Sequence, residues 1–285
     1  MKIDGVSKCG GKRLKGILAE GNVNEPLVTV ITAIYNGQPY VAGCLESVLR
    51  QEYPNIEHIV FDGGSTDGTV DVLRQYGNRI ALWRSEPDHG VYDAWNKALL
   101  EARGDWICFL GVDDELLSGA VRAYMVLAAK NPQAEYLSSN VKWVHPSGYT
   151  RILGGPWMWR EFRRIMRAAH VGSMHKKSLF ERYGKFDMSY QICADYEFLL
   201  RARAELRSAF MPTVTAIMRA GGLCGSGKSI YEANAAKLKT GGLPKAFVIF
   251  DLCLALIKWR TRALLYRILQ ALAPIRAMLG RRHSP

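Results

Sequence analysis

Between residues 27 and 115 the chain alternates short apolar runs with stretches of helical period, and that alternation restricts the fold more than any other feature. LVTVITAI, 27–34, is β-branched and apolar, and it stops at the turn Tyr35-Asn36-Gly37. Val41, Cys44, Leu45, Val48 and Leu49 then recur at intervals of three and four, which is one face of a helix. HIVFD, 58–62, predicts a second strand, and Gly63-Gly64-Ser65-Thr66-Asp67-Gly68 leads into a short helix through Leu73. IALWR, 80–84, predicts a third strand, and the next helix carries Val91, Trp95, Ala98, Leu99 and Ala102 on one face. WICFL, 106–110, fits a strand buried on both faces. Strands and helices in this order make βαβ units, an α/β fold with a mostly parallel sheet.

Every one of these strands ends in polar residues, and a parallel sheet gathers them along one edge, where open α/β sheets bind ligands. Thr32, Tyr35 and Asn36 close the first strand, Asp62 and its glycines the second, Asp88-His89-Gly90 the third, and Gly111-Val112-Asp113-Asp114 the fourth. A dinucleotide site would need GxGxxG after the first strand, and Tyr35-Asn36-Gly37-Gln38-Pro39 does not supply it. Adjacent carboxylates at the end of a central strand can hold a hard divalent cation, which in turn holds a diphosphate. An isolated Asp-Asp also reads as an acidic turn that caps the next helix. An acid such as Asp62 can accept from a base N–H, which gives a nucleotide-diphosphate site without a glycine phosphate loop.

Charge narrows the partners. The formal net charge is +12, which favours an anionic partner, whether nucleotide, nucleic acid or anionic lipid. From Lys245 onward eight Lys or Arg face one acid, Asp251, so the excess lies mainly in the tail. The aromatic residues do not interleave with basic ones as a stacking platform would require, so nucleic acid is not the expected partner. Six scattered cysteines without CxxC read as reduced, which points to the cytoplasm. Residues 1–26 hold basic residues but no apolar core and are expected to be a poorly ordered lead-in.

VTVITAIYNG, then LESVLRQEYPNIEHIVFDGGSTDGT, then SEPDHGVYDAWNKALLEARGDWICFLGVDD, resemble in order and spacing the family 2 glycosyltransferases with a GT-A fold, and within them the bacterial colanic-acid and related exopolysaccharide enzymes. The resemblance covers roughly residues 27–225 and implies an inverting hexosyltransferase-type enzyme that uses a nucleotide-sugar donor, UDP-sugars favoured. It implies that Asp62 recognises the base, Asp113 the ribose side and Asp114 a Mg²⁺ or Mn²⁺ ion, with Thr32, Tyr35, Asn36 and Asp88 around the nucleotide. Where the family often has Asp or Asn two residues before the first Asp of the pair, this chain has Gly111, so metal binding would rest mainly on Asp114 and the diphosphate.

The half from 116 to 225 is expected to take the acceptor, a lipid-linked or other saccharide. A strand is read over 136–144 and a short helix over 158–167 with Arg160, Arg163, Arg164 and Arg167, which suits an anionic group or a solvated face. By the resemblance His170 lies near a family histidine, and Asp195, within Ala194-Asp195-Tyr196-Glu197-Phe198, matches the catalytic base. Gly222-Leu223-Cys224-Gly225-Ser226-Gly227-Lys228-Ser229 fits the P-loop pattern, and FVIFD, 247–251, mimics a strand ending in Asp, which leaves a P-loop nucleotide hydrolase as an alternative. Only 56 residues follow Ser229, too few for the sheet a P-loop opens. A non-catalytic basic protein on membrane or nucleic acid is the other alternative. Residues 226–285 read as a basic helical segment. Apolar positions at 264, 265, 268, 269 and 272 beside arginines suit a helix in a membrane interface, which would place the enzyme peripherally on the inner face of the plasma membrane.

Overall fold

The computed structural model describes residues 2–3, 6–221 and 226–261. Lys2–Ile3 (β1) and Val6–Ser7 (β2) form a small antiparallel pair. The main sheet is centred on Val28–Ile34 (β4), with Ile56–Asp62 (β5) and Trp106–Gly111 (β7) pairing parallel on either side and Leu82–Ser85 (β6) parallel to β5. Gln38–Leu49 (α1), Thr69–Tyr76 (α2) and Val91–Glu101 (α3) make the crossovers between these strands. Beyond β7 the direction changes. Ser173–Lys176 (β11) pairs antiparallel with β7 and with Tyr136–Val144 (β9), and Ser208–Arg219 (β12) runs parallel to β9. Glu115–Leu116 (β8) closes that side on β12, and Thr150–Leu153 (β10) extends β9 as a hairpin.

The two faces of the sheet are sorted by strand alternation. Ile31, Ile59, Phe61, Ile107 and Phe109 face α3 and the later helices Lys177–Tyr183 (α6) and Ala194–Ala202 (α7). Val28, Val30, Cys108 and Leu110 face α1 and Ala120–Lys130 (α4). The result is three layers, helix on sheet on helix, and the fully buried central strands explain the unbroken apolar runs.

The amino-terminal segment departs from the expected lead-in. Cys9–Gly10 (β3) pairs antiparallel with β6, and the backbone N–H groups of Lys12 and Arg13 donate to the carbonyls of Ile80 and Ala81, each at 3.0 Å. Arg13 then reaches the buried Glu57 and donates to the carbonyl of Glu101 at 2.6 Å. Glu57 also accepts from the Thr29 hydroxyl and the N–H groups of Arg103 and Gly104, so its charge is paired and its oxygens are satisfied. A run of basic residues gave no sign of this, because the partner lies 44 residues away.

The helix expected over 158–167 is only Trp159–Phe162 (α5), a single turn. At the other end Gly227–Lys239 (α8) lies along α7, and residues 245–261 are helical, so FVIFD is helix and not strand. The apolar spacing from Leu264 and the first half of the P-loop pattern, 222–225, lie outside the described residues.

Candidate active site

The carboxyl ends of β6, β5, β4 and β7 come together as the alternation requires, and the loops that follow them are cross-tied. Asn36 adopts a left-handed conformation, φ 50°, which asparagine tolerates. Its N–H donates to Ser65 Oγ at 2.7 Å and its side-chain oxygen accepts the N–H of Thr66 at 3.0 Å. Asn36 is therefore a brace between the first two loops. Tyr35 beside it is 68% exposed, free to meet a ring stacked at the edge. Thr32 is different: it is fully buried, and its hydroxyl lies 2.9 Å from His58 Nε2, so its side chain is part of the core and cannot contact a nucleotide. The expectation failed at Thr32 because strand alternation turns position 32 inward, under α1.

Two pairs of carboxylates each close over a glycine. Asp62, buried at the end of β5, accepts the N–H groups of Gly64 at 3.1 Å and Ser65 at 3.0 Å and the Ser85 hydroxyl at 2.6 Å. Across Gly63 stands Asp88: a Cβ on that glycine would lie 2.6 Å from Asp88 Oδ2. Burial, and the negative charges of Asp93 and Asp62, push the Asp88 carboxyl above its usual range. The second pair repeats the arrangement. A Cβ on Gly111 would lie 2.8 Å from Asp114 Oδ2 and 3.1 Å from Asp113 Oδ1, so both carboxylates border space that only glycine leaves open. Asp114 is pushed up to about 7 by burial and then by Asp113, while the backbone N–H of Arg219 steadies its other oxygen at 3.0 Å.

A buried carboxylate whose neighbour is another carboxylate fits a divalent cation, which would remove the penalty that Asp114 now carries. No group of three His, Cys, Asp or Glu side chains is assembled for a metal among the described residues. A cation here would take Asp114 from the protein, with Asp113 close by, and complete its shell with phosphate and water oxygens.

Asp195 is the second residue of α7 and comes to the same edge through α3. Tyr92, in the first turn of α3 just after the Asp88 loop, places its hydroxyl 3.0 Å from Asp195 Oδ1 and 2.7 Å from the carbonyl of Ile192, with one proton to share between them. Burial pushes Asp195 up to about 6, and the Tyr92 hydroxyl opposes that. His170 Nδ1 is 4.0 Å from Asp195 Oδ2. Its ring stacks on Phe109 with centroids 5.0 Å apart, and neither nitrogen has a protein partner. Burial holds His170 down to about 3, so it is neutral beside the carboxylate. Glu197 is buried on another side of α7, bound to Arg201 and to the Thr240 hydroxyl at 2.8 Å, and is not available as a base. Tyr92 is the site residue the sequence reading missed, and its signal was slight: a tyrosine one position off the apolar face of the helix after Asp88-His89-Gly90.

The remaining candidates are not brought into one cluster. Arg164 pairs with Asp251 of the carboxyl-terminal helix at 2.6 Å, a strut and not an acceptor contact. Arg163 has a buried Nε with no partner. Lys228, the P-loop lysine, donates to the Gln191 side chain, and Asp251, its would-be partner acid, is on a helix and is paired with Arg164. That context removes the nucleotide-hydrolase alternative.

Residues 29–177 match the model of Glycosyl transferase family 2. The chain belongs to glycosyltransferase family 2. It is 36% identical over 184 residues to an uncharacterized glycosyltransferase of Mycobacterium tuberculosis, covering 63% of this chain and 70% of that protein. It is also 44% identical over 94 residues to a Bacillus subtilis glycosyltransferase named for teichuronic acid biosynthesis, TuaG, covering 32% of this chain and 37% of that one. Among solved structures, S. aureus TarS in complex with UDP-GlcNAc superposes with a TM-score of 0.62 at 18% identity, covering 79% of this chain and 70% of that chain. The Pyrobaculum calidifontis mannosyltransferase PcManGT, in complex with GDP-Man and Mn²⁺, superposes with a TM-score of 0.60 at 19% identity, covering 94% of this chain and 88% of its own. This family 2 glycosyltransferase thus has the GT-A fold.

Proposed function

We propose that this enzyme transfers a sugar, with inversion, from a nucleotide-diphosphate donor to a lipid-linked or saccharide acceptor in cell-surface polysaccharide synthesis. The observation that carries the reading is the meeting at one edge of two glycine-floored carboxylate pairs with a separate carboxylate, Asp195, which burial raises to about 6 and the Tyr92 hydroxyl orients. Asp62 accepts from the base, Tyr35 offers its exposed ring to it, and Asp113 takes the ribose side. Asp88 supports the loop that Asp62 shapes. Asp114 holds Mg²⁺ or Mn²⁺, which when bound neutralises charge on the departing diphosphate. UDP-sugars are the favoured donors, in line with the UDP-GlcNAc bound to one structural neighbour.

Inversion is a single displacement, so the acceptor hydroxyl loses its proton as it attacks, and Asp195 takes that proton. Tyr92 orients the carboxylate by donating to Oδ1. His170, neutral, borders the other oxygen and leaves the proton to Asp195. The catalytic domain spans 27–225, completed at its edge by β3 and residues 12–15. Residues 226–285 form the appendage that binds the inner face of the plasma membrane. In the helix over 245–261, Val248 is buried and Asp251 is tied to Arg164, whereas Phe247, Phe250, Leu254 and Ile257 form an exposed apolar face near Lys245, Lys258 and Arg260. One face packs on the domain, and the other suits the boundary between headgroups and acyl chains. No helix among the described residues is long and apolar enough to cross a membrane.

The test is a panel of UDP-, GDP- and dTDP-sugars scored for slow release of nucleoside diphosphate, followed by NMR of the sugar product. A donor hydrolysed with inverted anomeric configuration is expected. Retention of configuration, or no turnover with any nucleotide sugar, would contradict the reading.

A further inference from the structure

Asp195 sits one residue inside α7, so its direction depends on how α7 begins, and α7 has no side-chain cap of its own. The residue at the cap position is Cys193, and the N–H groups of the first turn of a helix have no partners inside it. The N–H groups just before and at that start are gathered from outside. Glu232, on α8, accepts the N–H of Gln191 at 3.0 Å, of Ile192 at 2.7 Å and of Cys193 at 3.1 Å, all on Oε2. A carboxylate accepting backbone N–H groups at a helix start is a charge-assisted arrangement favoured by the helix dipole. The carbonyl of the central residue of this loop, Ile192, is the one that holds the Tyr92 hydroxyl against Asp195.

α8 is fastened to this region at three further points. Lys228 donates to the Gln191 side chain, the Cys193 thiol lies 3.5 Å from the carbonyl of Ser229, and the Thr240 hydroxyl donates to Glu197 at 2.8 Å. Two of these contacts tie α8 to the same loop that Glu232 binds, and the Thr240 bond ties it to α7 itself, so α8 holds the loop and the start of α7 together.

We infer that Glu232 is a positioning residue for Asp195, acting through the 191–193 loop and Tyr92, so that a segment outside the matched family region orients the group that activates the acceptor. This rests on Asp195 being the base. Removing the carboxylate frees three N–H groups, lets the Ile192 carbonyl move, and with it the Tyr92 hydroxyl. A misplacement of about 1 Å at a reacting group can lower a rate on the order of 10²-fold.

The test is a double-mutant cycle of Glu232→Ala and Asp195→Asn, read as turnover and donor KM with the nucleotide sugar hydrolysed fastest in the panel above. Glu232→Ala is expected to lower kcat on the order of 10²-fold with donor KM unchanged. Added to Asp195→Asn it should cause no further loss, because its effect runs through that carboxylate. Wild-type kcat in Glu232→Ala, or losses that multiply in the double variant, would overturn the inference while leaving Asp195 as base. Full activity in Asp195→Asn alone would instead remove the reading on which the inference rests. Should Glu232→Ala fail to fold, Glu232→Asp, which keeps the charge but withdraws it by one methylene, replaces it in the same cycle. Lower kcat at constant donor KM and no added loss in the double variant then support the inference, and unchanged kcat overturns it.

Discussion

Residues 27–115, proposed to hold the donor, and the half that follows, proposed to take the acceptor, place their acids in different ways. In the first of these each acid ends a strand or stands in the loop just after one and is placed by that strand: Asp62 is bound by Gly64, Ser65 and Ser85, and Asp113 and Asp114 stand over Gly111, with Asp114 also accepting the N–H of Arg219 from a segment 105 residues later. In the acceptor half Asp195 begins a helix and is oriented by Tyr92, from a segment 103 residues earlier. On the proposed roles the donor acids are placed mainly by their own strands, whereas the direction of the proposed base, Asp195, depends on a contact between segments remote in sequence.

Loss of Asp114 should have the largest effect on the donor side. Asp114→Asn, with Mg²⁺ or Mn²⁺ supplied, is expected to reduce turnover on the order of 10²–10³-fold, since stabilisation of the leaving diphosphate is an electrostatic contribution to the transition state. Full activity in excess chelator would break the assignment of a metal to this half. With Mg²⁺ or Mn²⁺ supplied at saturation, so that Asp114 stays ionised, acid should act on the other half. With Asp195 raised to about 6 and needed ionised, turnover is expected to fall about tenfold per pH unit below that value, which a pH–rate profile of kcat would show. A profile flat to pH 4 would sever Asp195 from proton transfer.

Asp62→Ala sharpens the contrast with a smaller effect. It is expected to weaken donor binding by about 1–3 kcal/mol with little change in kcat at saturation, as seen by calorimetry and kinetics. Unchanged affinity would mean that Asp62 only shapes its loop. The smallest effect on chemistry belongs to the tail. Deleting 245–285 should release the protein from anionic liposomes in a sedimentation assay with activity on a soluble acceptor kept within a fewfold, about 0.5–1 kcal/mol in the barrier. Undiminished sedimentation would remove the membrane role from this segment.

The same contrast explains what could be read in the sequence. The strands over 28–34 and 106–111, and the stretch 58–62 of the strand 56–62, were legible because they are buried on both faces and mostly apolar, and the acids at or after their ends are visible as breaks in those runs. Thr32 was misjudged by one step of alternation, which turns it toward His58. Nothing in the amino-terminal basic residues announced that Arg13 would pair with Glu57, since burial of an ion pair is decided by the fold. Tyr92 and Arg164 carry no local pattern either: one is a tyrosine in an ordinary helix, the other one of several arginines, and only the approach of α3 to α7 and of the helix over 245–261 to α5 assigns them. Asp195 itself was reached through family resemblance, because an acid on a helix is otherwise unremarked.

The division of labour between the halves is tested most directly by the turnover of Asp195→Asn measured beside its donor affinity. The substitution keeps the shape and removes the basicity, so turnover should fall on the order of 10²–10⁴-fold while donor affinity stays at the wild-type value. Near-normal turnover, or a loss of donor binding that accounts for the loss of rate, would contradict it.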